Sequence, residues 1–194
     1  MGEVQRIFYL HVASAWVGFF AFFVVFLSSI LYLRRRKVKW HFTARASAEI
    51  GVIFTTFVLG SGMLWARAAW RTWWVWDARL TTTLIMWFIY VGYLFLHVVT
   101  RNEGENKQKL TSIYGIIAFI NVPLVFMSIR WWRTMHPVVI DMDGGGLAPR
   151  MLHVLIYSLL TLTFLYFFLL KYRKRQLHIA RKIDKLRGKI ETKI

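Results

Sequence analysis

IFYLHVASAWVGFFAFFVVFLSSILYL, residues 7–33, runs for 27 residues without a charge, and RRRK, residues 34–37, follows at once. An α-helix rises about 1.5 Å per residue, so about 20 apolar residues cross the roughly 30 Å of hydrocarbon in a bilayer. The stretch is long enough to span. A cleaved leader carries its positive block before a shorter apolar run, whereas here the block comes after a long one. The segment therefore reads as a first membrane span that starts outside.

Four more stretches meet the same requirement. Residues 80–100, 110–129 and 151–170 carry no charge, and residues 46–64 qualify with Glu49 at the membrane boundary. The whole chain is 57% apolar and 18% aromatic, and the short connections leave little room for a soluble domain. The expected fold is an all-α membrane protein with five transmembrane helices. One domain covers residues 1–172 and a basic tail covers 173–194. No internal repeat stands out, and the one low-complexity patch is Gly144-Gly145-Gly146. Cysteine is absent, so the chain can do no thiol chemistry, and a metal must rely on histidine, carboxylate or methionine.

A net charge of +17 could signal nucleic acid, so its distribution matters. If alternate connections share a side, residues 34–45, 101–109 and 171–194 hold 19 Lys and Arg, against seven in residues 1–6, 65–79 and 130–150. That asymmetry is the positive-inside pattern, with the N-terminus outside and the C-terminus cytoplasmic. It accounts for the charge through membrane lipid and needs no nucleic acid.

With that orientation, seven of the ten tryptophans fall on the external side: Trp65, Trp70, Trp73, Trp74, Trp76, Trp131 and Trp132. His11, His136 and His153 join them, as do Arg67, Arg71, Arg79, Arg130 and Arg133. An interfacial belt accounts for tryptophan at both faces, yet the cytoplasmic side has only Trp40. Trp70, Trp73, Trp74 and Asp77 are spaced i, i+3, i+4 and i+7, which predicts three rings and a carboxylate on one side of a short interfacial helix. Asp77 also suits an N-cap for the third span. The arginines suit either headgroup phosphates or the carboxylates of a ligand.

After His11 come Ser14, Ala15 and Gly18, a small-residue face that serves either close helix packing or a slot for a flat ligand. Two imidazoles, many indoles and several arginines on one face share a chemical logic. A porphyrin is a flat apolar ring that stacks on aromatic surfaces; its iron takes axial histidines and its propionates take arginine.

The stretch Trp70-Arg71-Thr72-Trp73-Trp74-Val75-Trp76-Asp77-Ala78-Arg79-Leu80-Thr81 resembles the tryptophan-rich WWD signature of haem-handling membrane proteins in cytochrome c maturation. Within that superfamily the chain is similar to the CcmC type, called haem exporter protein C. Arg6-Ile7-Phe8-Tyr9-Leu10-His11-Val12 resembles the first histidine segment of that type, Asn121-Val122-Pro123 its pre-loop motif, and Trp131-Trp132-Arg133-Thr134-Met135-His136 its second histidine segment. The resemblance runs from about Arg6 to about Tyr172. It implies that His11 and His136 are the axial ligands of haem b iron, and that Trp70, Trp73, Trp74, Trp76 and Asp77 form a platform. Trp131 and Trp132 flank the second histidine, and Arg79 and Arg133 would face the propionates. It further implies an external haem site on the cytoplasmic (inner) membrane, a CcmE-type haem chaperone that receives the haem, and CcmA, CcmB and CcmD as partners. Such proteins bind and transfer haem and are not enzymes. Two departures stand out. Proteins of this type generally have six spans, so the five here imply a first span that is dispensable or supplied by another subunit. Position 71 is usually glycine, and here it is Arg71.

Other residues are expected to matter less. His153 is a spare candidate near the iron, and His41, His97 and His178 read as bystanders. Glu49 is either a snorkelling interface residue or a polar tie between helices. The tail has an apolar stripe at Leu177, Ala180, Ile183, Leu186 and Ile190 that suits anionic lipid or a docking partner. The competing reading is a b-type cytochrome or quinone-linked redox subunit, which prefers paired histidines well inside neighbouring spans.

Overall fold

The computed structural model of the chain describes residues 4–99, 104–132 and 147–191. Six helices follow one another: α1 (Val4–Arg35), α2 (Val38–Trp70), α3 (Ala78–Val99), α4 (Glu105–Ala118), α5 (Asn121–Trp131) and α6 (Pro149–Glu191). Among the described residues there is no strand. Five segments are long and apolar enough to cross a membrane, α4 and most of α5 together making the fourth. The expected all-α architecture is the observed one.

The α1–α2 hairpin is the centre of the bundle. Its link is only Arg36 and Lys37, shorter than the expected connection of residues 34–45. Nothing in Val38 to Phe42 breaks a helix, and Phe42 and Ala46 bury themselves against Leu177 of α6. The turn is made by Arg36 at φ 51°, whose N–H donates to the Tyr32 carbonyl at 2.7 Å. Absent side chains set how close the two helices come. A Cβ on Gly51 would stand 2.5 Å from Cε1 of Phe22, and one on Gly18 would stand 2.9 Å from Cγ2 of Thr55. Gly18 is buried in this way against α2, and Ser14 one turn earlier is buried too. Of the two uses open to this face, close packing is the one observed at Gly18, and Ala15 beside it stays partly exposed. Phe22, so held, stacks on Tyr90 of α3 with 3.5 Å between ring centroids.

The fourth span is broken where the sequence gives one uninterrupted stretch. Pro123 has no N–H to offer the Phe119 carbonyl, and its ring crowds that carbonyl. The chain answers with tighter i→i−3 bonds from Phe119, Ile120 and Val122, at 3.3, 3.1 and 3.0 Å, and α5 restarts with Pro123 in its first turn.

α6 runs straight from the fifth span into the tail, so residues 173–191 are the end of a 43-residue helix. Glu49 ties that helix to α2. Its carboxylate accepts from Nε and Nη2 of Arg173, and from Nε of Arg45 at 3.2 Å. Of the two roles open to Glu49, the inter-helix tie is the one observed. Ser47 adds a neutral tie: its hydroxyl donates to the Ala21 carbonyl at 2.8 Å and accepts from Tyr166 at 2.7 Å, joining α1, α2 and α6. Leu177 of the tail stripe is buried on α2, whereas Ile183, Leu186 and Ile190 are exposed.

Candidate functional site

The tryptophan-rich segment is not the short helix that its spacing predicts. α2 stops at Trp70, and residues 71–77 form an irregular strap before α3. The stop is conformational. Arg71 caps α2 in the left-handed region at φ 60° and ψ 18°, where glycine is at ease and a side chain costs about 1 kcal/mol. Nη1 of Arg67 donates to the Arg71 carbonyl at 2.7 Å and partly offsets that cost. Glycine at this position would meet the demand of the turn without that cost. Beyond it, the Thr72 hydroxyl donates to the Trp74 carbonyl at 3.1 Å.

At the far end of the strap Asp77 caps α3 as its type predicts, Oδ1 accepting the Leu80 N–H at 2.8 Å. Arg79 follows, half-buried, in the first turn.

Off the helix, the indoles separate. Trp70 meets Trp65 edge-on at 5.2 Å, and Trp73 lies under the Arg67 guanidinium at 5.8 Å with half its surface exposed. Trp74 and Trp76 meet edge-on at 5.6 Å. These two roof an apolar groove of about 380 Å³ between α2 and α3, with Leu59, Met63, Leu84 and Trp87 as walls. Trp87 donates its N–H to the Thr56 hydroxyl at 2.7 Å, which fixes its ring there. A groove of this size and lining accepts the edge of a flat apolar ligand. Trp131 and Trp132 pair at 6.0 Å at the end of α5, both exposed. His136 and Arg133 lie outside the described residues. His153 is exposed in the first turns of α6.

His11 lies at the same end of the bundle as the strap, on the α1-facing side of α2, and is half-buried. Its Nδ1 is 2.9 Å from the Ser61 hydroxyl. The donor chemistry fits an axial ligand, and the strap and groove fit a planar ring. Trp87 and Ser61 were not foreseen as contributors. The signal for Ser61 was the small pair Ser61-Gly62 near the end of α2; Trp87 was hidden by its place inside a span.

The opposite end holds a second imidazole cluster. His41 and His97, expected as bystanders at the cytoplasmic side, are both buried, with ring centroids 5.1 Å apart. Tyr93 packs on His97 at 5.0 Å, and Lys107 donates to the His97 carbonyl at 3.1 Å. Neither nitrogen of His97 has a hydrogen-bond partner among the described residues.

Fold and site together define an α-helical integral membrane protein that displays a tryptophan-rich strap and a held histidine at one end of its bundle. The family model for heme exporter protein C, CcmC, matches residues 1–189, and the chain belongs to that family. It is 37% identical over 152 residues to a ccmC-like mitochondrial cytochrome c biosynthesis protein of Marchantia polymorpha, covering 78% of this chain and 64% of that protein. It is 31% identical over 169 residues to heme exporter protein C of Bradyrhizobium diazoefficiens, covering 84% and 64%. With heme exporter protein C of Haemophilus influenzae it shares 32% identity over 178 residues, covering 90% and 71%. The chain thus spans just under two thirds of the length of the first two of these relatives.

Proposed function

We propose that this protein binds haem at the tryptophan-rich end of its bundle and passes it on during cytochrome c maturation. The observation that carries the proposal is the strap of residues 71–77, which leaves Trp73 and Trp76 exposed, with Trp74 and Trp76 over an apolar groove on the α3 side of α2, while His11 stands at the same end on the α1 side. Indole exposed on a packed bundle is costly unless lipid or a ligand covers it, and CcmC family membership favours a ligand.

In this reading haem is cargo, as haem b. His11 and His136 take its iron from two sides; Trp70, Trp73, Trp74 and Trp76 carry its ring, with Trp131 and Trp132 beside the second ligand. Asp77 holds the start of α3 in place, and Arg79 and Arg133 take the propionates. Release needs one imidazole to yield. We assign that to His136, whose connection contains Pro137 and three successive glycines, while His11 rides on α1. The nineteen Lys and Arg of residues 34–45, 101–109 and 171–194, against seven in the alternate connections, favour a site on the external side of the cytoplasmic (inner) membrane by the positive-inside rule. The receiver in this scheme is a CcmE-type chaperone, with CcmA, CcmB and CcmD as the assembly partners. The protein transfers a bound group and makes no bond in a substrate.

The redox-subunit alternative loses support from the one buried histidine pair. Two imidazoles that bind one haem iron from opposite faces stand about 6 Å or more apart, centroid to centroid, with a porphyrin between them. His41 and His97 are 5.1 Å apart within packed side chains.

The test is the absorption spectrum of the purified protein after haemin addition, oxidised and reduced, beside His11→Ala and His136→Ala. A low-spin spectrum in the parent, turned high-spin or lost in each variant, is the expected result. An unchanged six-coordinate spectrum in either variant removes that histidine from the site.

A further inference from the structure

We infer that Ser61 is a positioning residue that selects the tautomer of His11 and thereby makes Nε2 the ligating nitrogen. This rests on the proposal that His11 binds haem iron. A serine hydroxyl has one hydrogen to give. That of Ser61 is directed at the Phe57 carbonyl one turn back, at 2.7 Å, with the Val58 carbonyl a longer alternative at 3.3 Å. Its oxygen is then left to accept, so the 2.9 Å contact with His11 is Nδ1–H donating to Oγ. A neutral imidazole carries a single N–H, and placing it on Nδ1 puts the lone pair on Nε2.

The surroundings protect this arrangement. Ser61 is 6% exposed, so water competes poorly for its oxygen. The next residue is Gly62, where a Cβ would stand 3.2 Å from Cε1 of His11, so the bare backbone lets the ring lie close against α2. The ring is then fixed by a bond on one edge and a helix surface beneath. Partners of this kind orient a metal-binding imidazole and raise its basicity, and their removal typically weakens metal binding about 10- to 100-fold.

The experiment titrates haemin into the full chain in detergent and measures affinity, spin state and midpoint potential for the parent, Ser61→Ala, Ser61→Thr and His11→Ala. Thermal unfolding without haemin checks that each variant folds. Ser61→Ala is expected to bind haemin about 10- to 100-fold more weakly, with the midpoint potential moved to more positive values because the ligand is less basic. Ser61→Thr, which keeps a hydroxyl able to donate one turn back, is expected to restore both. If His11→Ala loses the low-spin spectrum while Ser61→Ala keeps the parent affinity and potential, the role of Ser61 is overturned and the haem site stands. A weaker Ser61→Ala that threonine does not rescue, with no change in potential, also overturns it, since packing alone would do that. If His11→Ala leaves the spectrum unchanged, the underlying assignment of His11 fails, and the role of Ser61 falls with it.

Discussion

At the tryptophan-rich end of the bundle four indoles face outward and the histidine of α1 is held by a directed bond; at the basic end Tyr32, Tyr93 and two histidines are packed inside, although Phe95 and Tyr172 are exposed there. Trp73, Trp76, Trp131 and Trp132 are each more than half exposed, whereas Tyr32, Tyr90 and Tyr93 are fully buried. His11 has the Ser61 hydroxyl at 2.9 Å, and His97 has a partner at neither nitrogen among the described residues. Packing explains the basic end, where burial of ring area outweighs unmet polar atoms. It does not explain the other end, where large apolar rings are left uncovered and an imidazole is oriented.

Four comparisons, with five substitutions, test how far the two ends differ, and the largest effect belongs to the packed hairpin. Gly51→Ala drives a methyl into Phe22, which cannot retreat because it is stacked on Tyr90. A loss of about 1–3 kcal/mol is expected, read as a lower denaturation midpoint in detergent. Full stability in this variant would mean that the hairpin is looser than its geometry states.

Next comes the tie between α2 and α6. Glu49→Gln leaves Arg173 and Arg45 without their carboxylate, and a loss of about 1–2 kcal/mol is expected for hydrogen bonds of this charged, partly buried kind. Protease sensitivity of the α6 tail should rise with it. An unchanged cleavage pattern would limit the tie to a surface contact.

The third comparison sets one imidazole against another. His97→Leu removes two nitrogens without partners from the core and is expected to raise stability by about 1 kcal/mol while leaving haemin binding alone. His11→Leu should do the reverse, with stability held and the low-spin spectrum gone. Equal effects on both readouts would erase the contrast between the ends.

The smallest effect is expected at the strap. Arg71→Gly relieves a side chain from φ 60° but gives up no bond, since Arg67 donates to the backbone of residue 71. A gain of up to about 1 kcal/mol should appear in thermal unfolding, with the spectrum of bound haemin unchanged. A changed spectrum would mean that the Arg71 side chain itself contacts haem.

The sequence by itself determined the number of spans, because hydrocarbon thickness converts directly into a count of apolar residues. It also determined the cap at Asp77, a local i→i+3 bond, and the gathering of tryptophans into one segment. Tertiary structure decided what spacing could not. The helical register of Trp70, Trp73, Trp74 and Asp77 was overruled by one backbone torsion at Arg71, which ended α2 before the pattern could be used. The face of Ser14 and Gly18 suited two purposes equally on paper, and only the approach of α2 chose between them. Trp87, Ser61 and the pair His41 and His97 become partners through contacts between helices distant in sequence, such as the 50 positions separating His11 from Ser61. Local chemistry is written in neighbouring residues. The orientation of an imidazole depends on which hydroxyl a second helix brings to it and on where that hydroxyl has already spent its only hydrogen.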